Sequence, residues 1–135
     1  MRMRKNKKIN DWAVVEKQFT YKGHDCICIL NKYGFRCGYV SAPFNIDCDK
    51  IECHGGISFS SGKLPFDYGQ TKEFYIGFDC GHLGDGIDIK ALEQSGLGSN
   101  YAFPFYFDDE IRTLPYVEEE CKKIVDQIET DSPLG

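Results

Sequence analysis

The chain has 135 residues, 41% of them hydrophobic and 27% charged, with a formal net charge of −5. That is the size of one domain, with enough apolar content to bury roughly two-thirds of the unfolded surface, which excludes a disordered chain and removes any need for a disulfide or metal merely to fold. Five of the 16 basic side chains (Arg2, Arg4, Lys5, Lys7 and Lys8) stand in residues 1–10, so the rest of the chain sets 11 basic groups against 21 acidic ones and repels duplex nucleic acid.

In chain order, residues 1–10 are expected to be a flexible basic tip, 11–130 a single globular domain and 131–135 a tail. Trp12–Tyr21 carries β-branched and aromatic residues in partial alternation and predicts a strand. Over Asp25–Leu30, Cys26, Cys28 and Leu30 alternate with Ile27 and Ile29, so both faces are apolar, as in a central strand. A turn over Asn31–Gly34 returns the chain as Phe35–Val40 and makes a hairpin. After a loop over Ser41–Lys50, Ile51–His54 and Ile57–Ser60 read as short strands broken by Gly55-Gly56, and Ser61–Thr71 as a long surface loop.

Glu73–Cys80 is the next strand, with Gly77 marking a bulge or a close backbone approach. Gly81–Gly86 is a glycine-spaced loop, and Lys90–Gln94 falls in a short helix. Tyr101–Phe107 is an edge strand or extended segment, because Pro104 cannot donate to a ladder. Val117, Cys121, Ile124, Val125 and Ile128 then form one helical stripe. Thr113 suits its N-cap, Pro115 its first turn, and Glu118–Glu120 the positive end of its dipole. The class this predicts is α+β: a mostly antiparallel β-sheet with one long C-terminal helix packed on one face.

The seven cysteines include no C-x-x-C pair, which excludes paired zinc knuckles. There is no secretory signal and no apolar run of the roughly 18 residues a membrane helix needs, so free thiols and a cytoplasmic location are expected. Cys28, Cys37 and Cys121 read as small hydrophobes, and Cys26-x-Cys28 as core rather than a metal pair.

Two segments concentrate polar chemistry: Cys53-His54-Gly55-Gly56, and Gly77–Gly86 with sequence GFDCGHLGDG. His54, Asp79, His82 and Asp85 offer two imidazoles and two carboxylates suited to a divalent transition ion. Cys80 is a candidate nucleophile, with His54 or His82 as base and an aspartate orienting it. The same region also suits binding without chemistry. Backbone N–H groups of Gly55, Gly56, Gly81 and Gly84 would approach a phosphate, and Phe59, Tyr75, Phe78 and Tyr101 would stack on a planar base. Neither G-x-G-x-x-G nor a P-loop is present. A purely structural role is equally consistent, with His54 and Asp79 as satisfied hydrogen-bonding groups. Arg112 follows Asp108-Asp109-Glu110 and either pairs with those acids or is the cation that reaches an anionic ligand.

Three stretches, His54-Gly55-Gly56-Ile57-Ser58-Phe59, Phe74–Asp85, and Arg112-Thr113 with Tyr116-Val117-x-x-Glu120-Cys121 and Gln127, together resemble one family. It consists of small proteins of unassigned activity encoded by phages and prophages, with an HGG turn, a G-F-D-C-x-H-x-G-D strand and loop, and a helix opening Y-V-x-x-E-C. The likeness spans Tyr33–Ile128. It implies a phage origin, the cytoplasm of a bacterial host, and one constellation of His54, Asp79, His82 and Asp85 to which Arg112 and Glu120 belong. Family members often carry aromatic residues, Trp included, before the Gly-Phe-Asp-Cys segment, where this chain has Phe74, Tyr75 and Ile76.

The leading expectation is a non-enzymatic, homo-oligomeric binder that sequesters a small planar anionic, nucleotide-derived ligand, countering host antiviral defence. Its ligand contacts would be His54, Gly55, Gly56, Asp79, His82, Asp85 and Arg112. No cofactor is required, and a divalent metal is allowed. The alternatives are a small metal- or Cys/His-dependent hydrolase acting on such a molecule, and an acidic protein–protein inhibitor.

Overall fold

Strand β3 (His24–Asn31) organises the fold because both of its faces are apolar. On one face Cys26 and Cys28 pack with Val40, Ile76 and Phe78; on the other, Ile27 and Ile29 pack with Val15, Tyr39 and Tyr75. The computed structural model describes residues 7–8, 12–66, 70, 72–97 and 109–130. Within them, β2 (Ala13–Tyr21), β3, β4 (Arg36–Ser41), β6 (Tyr75–Asp79) and β5 (Phe59–Ser61) lie side by side in that order, every pair antiparallel. A two-residue strand, β1 (Lys7–Lys8), adds to the outer edge of β2. The expected hairpin is present, with Cys26 opposite Val40 and Leu30 opposite Arg36.

The C-terminal helix α2 (Leu114–Thr130) covers one face of this sheet, so the α+β class read from the sequence holds. Its buried residues include the whole predicted stripe, Val117, Cys121, Ile124, Val125 and Ile128. Full burial of each Val or Ile side chain contributes roughly 1.5–3 kcal/mol. Thr113 starts the helix as expected: its Oγ1 accepts a long 3.4 Å bond from Tyr116 N–H and its carbonyl takes Val117 N–H at 3.0 Å. Gly38 and Gly77 let the layers close. A Cβ on Gly38 would stand 2.6 Å from the Phe78 ring and 2.8 Å from Cys121 Sγ, and one on Gly77 2.7 Å from the Gly38 carbonyl. Gly77 is therefore a close approach and not a bulge; the register shift lies between Val15 and Lys17.

Several elements differ from the sequence reading. Ile51–His54 is not a strand, because its backbone finds partners on helix side chains instead of a ladder. Gln127 Oε1 accepts Glu52 N–H at 2.7 Å and Gln127 Nε2 donates to the Glu52 carbonyl at 2.7 Å, while Glu120 Oε1 accepts His54 N–H at 2.7 Å. The loop after β5 is more than surface: Leu64 and Phe66 are buried and cover the second sheet face, Phe66 edge-on to Tyr39. The sheet also begins before residue 11, at Lys7.

The short helix is α1 (Ile89–Ser95), capped by Asp88, whose side chain accepts Ala91 N–H at 3.1 Å. Leu92 and Leu97 pack there with Val14 and Leu30. A parallel pair that periodicity did not suggest joins β7 (Asp85–Gly86) to β8 (Glu110–Ile111). All seven cysteines are free, and Cys26, Cys28, Cys37 and Cys121 are buried as expected. Tyr101–Phe107, Asp108, residues 1–6 and the tail over 131–135 lie outside the described residues. Among those described, no helix is long and apolar enough to cross a membrane.

Candidate metal centre

The site forms where the end of β6 and the start of β7 meet the turn at Cys53–Gly56 and the first turns of α2. The β6–β7 loop closes on itself: Asp85 N–H donates to the His82 carbonyl at 2.9 Å, and His82 N–H donates back to Asp85 Oδ2 at 3.0 Å. Opposite, Gly55 adopts φ +71°, and a Cβ there would run into the His82 imidazole. Glycine at this position therefore lets the two histidine-bearing segments touch. The His54 and His82 ring centroids are 5.9 Å apart, so the juxtaposition expected from the sequence is real.

Asp85 is the hub. It is only 1% exposed, yet both oxygens are satisfied. Oδ1 accepts Arg112 Nε at 2.8 Å, and Oδ2 lies 2.9 Å from His54 Nε2. Burial works to raise its carboxyl, but hydrogen bonds from His54, Arg112 and the His82 backbone outweigh burial and hold it below the ordinary 3.8.

A carboxyl depressed in the folded state adds stability that is complete above its unfolded value and is lost as pH falls through its folded value. Urea midpoints of the wild type are therefore expected to fall on acidification below about pH 4. In Asp85→Asn this part of the decline should vanish. Parallel acid limbs in the two proteins would contradict the assignment.

The outer nitrogen of His54 is also supported, and that of His82 faces Asp79 at a longer distance. His54 Nδ1 lies 2.8 Å from Tyr116 Oη, with the rings edge to face, and His82 Nε2 lies 3.7 Å from Asp79 Oδ1. The inner atoms converge: Asp85 Oδ2 is 2.9 Å from His54 Nε2 and 3.5 Å from His82 Nδ1, and one ligand atom from each residue lies within 4.8 Å of the others. Donor atoms on a tetrahedral zinc with bonds of about 2.0–2.1 Å stand roughly 3.3 Å apart. His54, His82 and Asp85 can thus hold a divalent ion. The His82 side chain is 43% exposed, so solvent reaches this side of the group.

Asp79 is not a fourth member of this set. Its oxygens accept Gly81 N–H at 3.0 Å and Ser58 Oγ at 3.1 Å, and it lies 3.7 Å from the far nitrogen of His82, beyond a direct hydrogen bond. Cys80, expected as a candidate nucleophile, is 1% exposed in the core under α2. Burial, with Asp85 adding to it, pushes its thiol far above the ordinary range, so it stays a thiol. Of the glycines expected to present N–H groups to a phosphate, Gly56 donates to the Cys53 carbonyl and Gly81 to Asp79. Both are already used.

Arg112 joins the cluster by the β7–β8 pairing but is not a free cation. Besides Asp85 it meets Glu110 Oε2 at 3.2 Å, and its guanidinium lies over the Tyr116 ring at 5.2 Å. The sequence reading has Tyr116 only in the stretch that opens the helix, not among the site residues. The signal was there in spacing: Tyr116 and Glu120 stand four residues apart and so share one side of α2, which Arg112 precedes. Burial first, and Glu120 second, raise the Tyr116 hydroxyl, so it serves as a neutral hydrogen-bonding group. No family model, curated protein or solved structure matches the chain, and the site rests on its own geometry.

Proposed function

We propose that the chain sequesters a small planar anion of nucleotide type through a divalent transition-metal ion held by His54 Nε2, His82 Nδ1 and Asp85 Oδ2. The observation that carries this reading is the convergence of His54, His82 and Asp85 while the outer nitrogen of His54 keeps a partner in Tyr116. Electrostatics supports the metal. Asp85 and Glu110 pair with Arg112, Asp79 lies 3.7 Å from His82, and Glu120 holds the His54 N–H with Lys123 reaching it at 3.3 Å, so carboxylates exceed cations around the site. A bare anion is repelled there, whereas a divalent ion is attracted and then offers a remaining coordination position to an anionic group. The resemblance to phage and prophage proteins supports a setting in an infected bacterium, with a host antiviral signal as the ligand.

Hydrolysis of the bound molecule is the second reading, favoured by the exposed His82 side. An ion with three protein ligands keeps a position for water and lowers its pKa toward neutrality. Calorimetry of the four nucleoside monophosphates, with Zn(II) or with EDTA, tests both. At least one nucleotide is expected to bind about tenfold tighter with Zn(II), roughly 1.4 kcal/mol, and to be recovered intact. Recovery of nucleoside and phosphate would establish the hydrolase. Equal binding in EDTA would remove the metal from the proposal.

A further inference from the structure

Beside the metal centre, at the β5 edge of the sheet, lies a cavity of about 530 Å³ walled mainly by Trp12, Tyr33, Phe35, Tyr39 and Phe59. Its volume is in the range of small-molecule sites, roughly 300–1,000 Å³. Tyr39 and Phe59 meet edge to face with centroids 5.3 Å apart, and Tyr33 is 41% exposed at the wall. No basic side chain among the described residues lines the cavity; its polar groups include Asp79, Ser58 and Asn31. The chemistry selects a flat, uncharged ring that donates hydrogen bonds.

Asp79 supplies the acceptor. Ser58 Oγ at 3.1 Å and Gly81 N–H at 3.0 Å each fix one of its oxygens, and each oxygen keeps a further lone pair. Asn31 supplies the complement. Its Oδ1 is occupied by Tyr33 N–H at 3.0 Å and Phe35 N–H at 3.2 Å, and its NH2 has no hydrogen-bond partner among the described residues.

We infer that this cavity binds a guanine-type ring, with Asp79 accepting its paired N–H donors and Asn31 donating to its carbonyl. Guanine presents two adjacent donors and a carbonyl along one edge, which matches a carboxylate and an amide. Adenine offers one donor beside a ring-nitrogen acceptor, and a carboxylate repels that acceptor. Cytosine and uracil each lack the adjacent donor pair. Sites built on such hydrogen bonds reject the analogue that leaves a polar group unpaired. Asp79 is also the wall shared with the metal centre, since its Oδ1 is 3.7 Å from His82 Nε2. The inference deepens the proposal above by naming the base of the ligand.

Trp12 is the single tryptophan of the chain, so its fluorescence reports on this cavity. Titrations use guanosine and adenosine in EDTA, so neither a phosphate nor a metal takes part. Guanosine is expected to give a saturable change, and adenosine to bind at least about tenfold more weakly. Asp79→Asn keeps the shape of a 40%-exposed side chain and should cost guanosine a similar factor. Tyr33→Ala, at an exposed wall position, should weaken both nucleosides without touching the carboxylate. Equal affinity for the two nucleosides, no response to either, or unchanged guanosine binding in Asp79→Asn overturns the inference. Guanosine binding in EDTA together with metal-independent nucleotide binding would instead sink the metal-centred proposal and leave this one standing.

Discussion

His54→Ala is expected to lower affinity for Co(II) or Zn(II) by about 100-fold or more, read from cobalt absorption and zinc competition. This residue is anchored through both ring nitrogens and its backbone. Its Nε2 faces Asp85 Oδ2 at 2.9 Å, its Nδ1 faces Tyr116 Oη at 2.8 Å, and its backbone N–H is held by Glu120 at 2.7 Å. Alanine keeps the backbone contact but removes one of three ligand atoms. Tyr116→Phe separates ligation from orientation, because it deletes only the hydroxyl behind the imidazole. Its expected loss is smaller, about tenfold. His82→Ala guards against a folding artefact, since that side chain is 43% exposed and its removal opens no core cavity. It should weaken metal binding while near-UV circular dichroism stays unchanged. Wild-type affinity in both histidine variants would place any metal elsewhere and end the proposal.

The largest effect on stability is expected at Arg36, outside the site. Its side chain is 6% exposed and joins elements distant in sequence. Nε and Nη2 meet the two oxygens of Glu16 at 2.6 and 3.1 Å, and Nη1 meets Asp88 Oδ2 at 2.8 Å and the Arg112 carbonyl at 3.1 Å. Burial works against the guanidinium's charge, but the two carboxylates more than restore it. Arg36→Met fills much of the same space and leaves Glu16 and Asp88 without their cation. The expected cost is about 3–5 kcal/mol in urea unfolding.

The consequences reach the metal centre. Asp88 caps α1, and the Arg112 carbonyl fixes the segment that carries the Arg112 side chain to Asp85. Arg36→Lys keeps the charge but cannot reproduce the two-pronged contact with Glu16, so an intermediate loss is expected. Combining Arg36→Met with Glu16→Gln and Asp88→Asn should recover part of the stability, because the stranded charges are gone. A loss below about 1 kcal/mol in Arg36→Met would mean that solvent reaches Glu16 and Asp88 more freely than their burial indicates.

Both results depend on contacts of very different legibility. The alternation in β3 and the stripe on α2 could be read from the chain because side-chain periodicity is local: period 2 and period 3.6 say which face is buried whatever lies opposite. The hairpin, the Asp85-bearing loop and the α+β class follow from the same local rules. The histidines and aspartates of the site were visible as residue types. Their roles were not.

His54 meets Asp85 across 31 positions and Tyr116 across 62, and no spacing rule reports on pairs that far apart. Asp79 and Asp85 flank His82 symmetrically in sequence, yet one is 40% exposed at its outer nitrogen and the other is the buried hub. Ile51–His54 had the composition of a strand, and side chains of α2 took its backbone hydrogen bonds instead. Cys80 had the neighbours of a nucleophile, and the weight of α2 above it made it core. Sequence by itself determined which faces are apolar, hence the sheet, the helix and the class. Tertiary structure alone decided which lone pairs and N–H groups are already spent, because each such bond needs a partner that only folding brings within 3 Å or so.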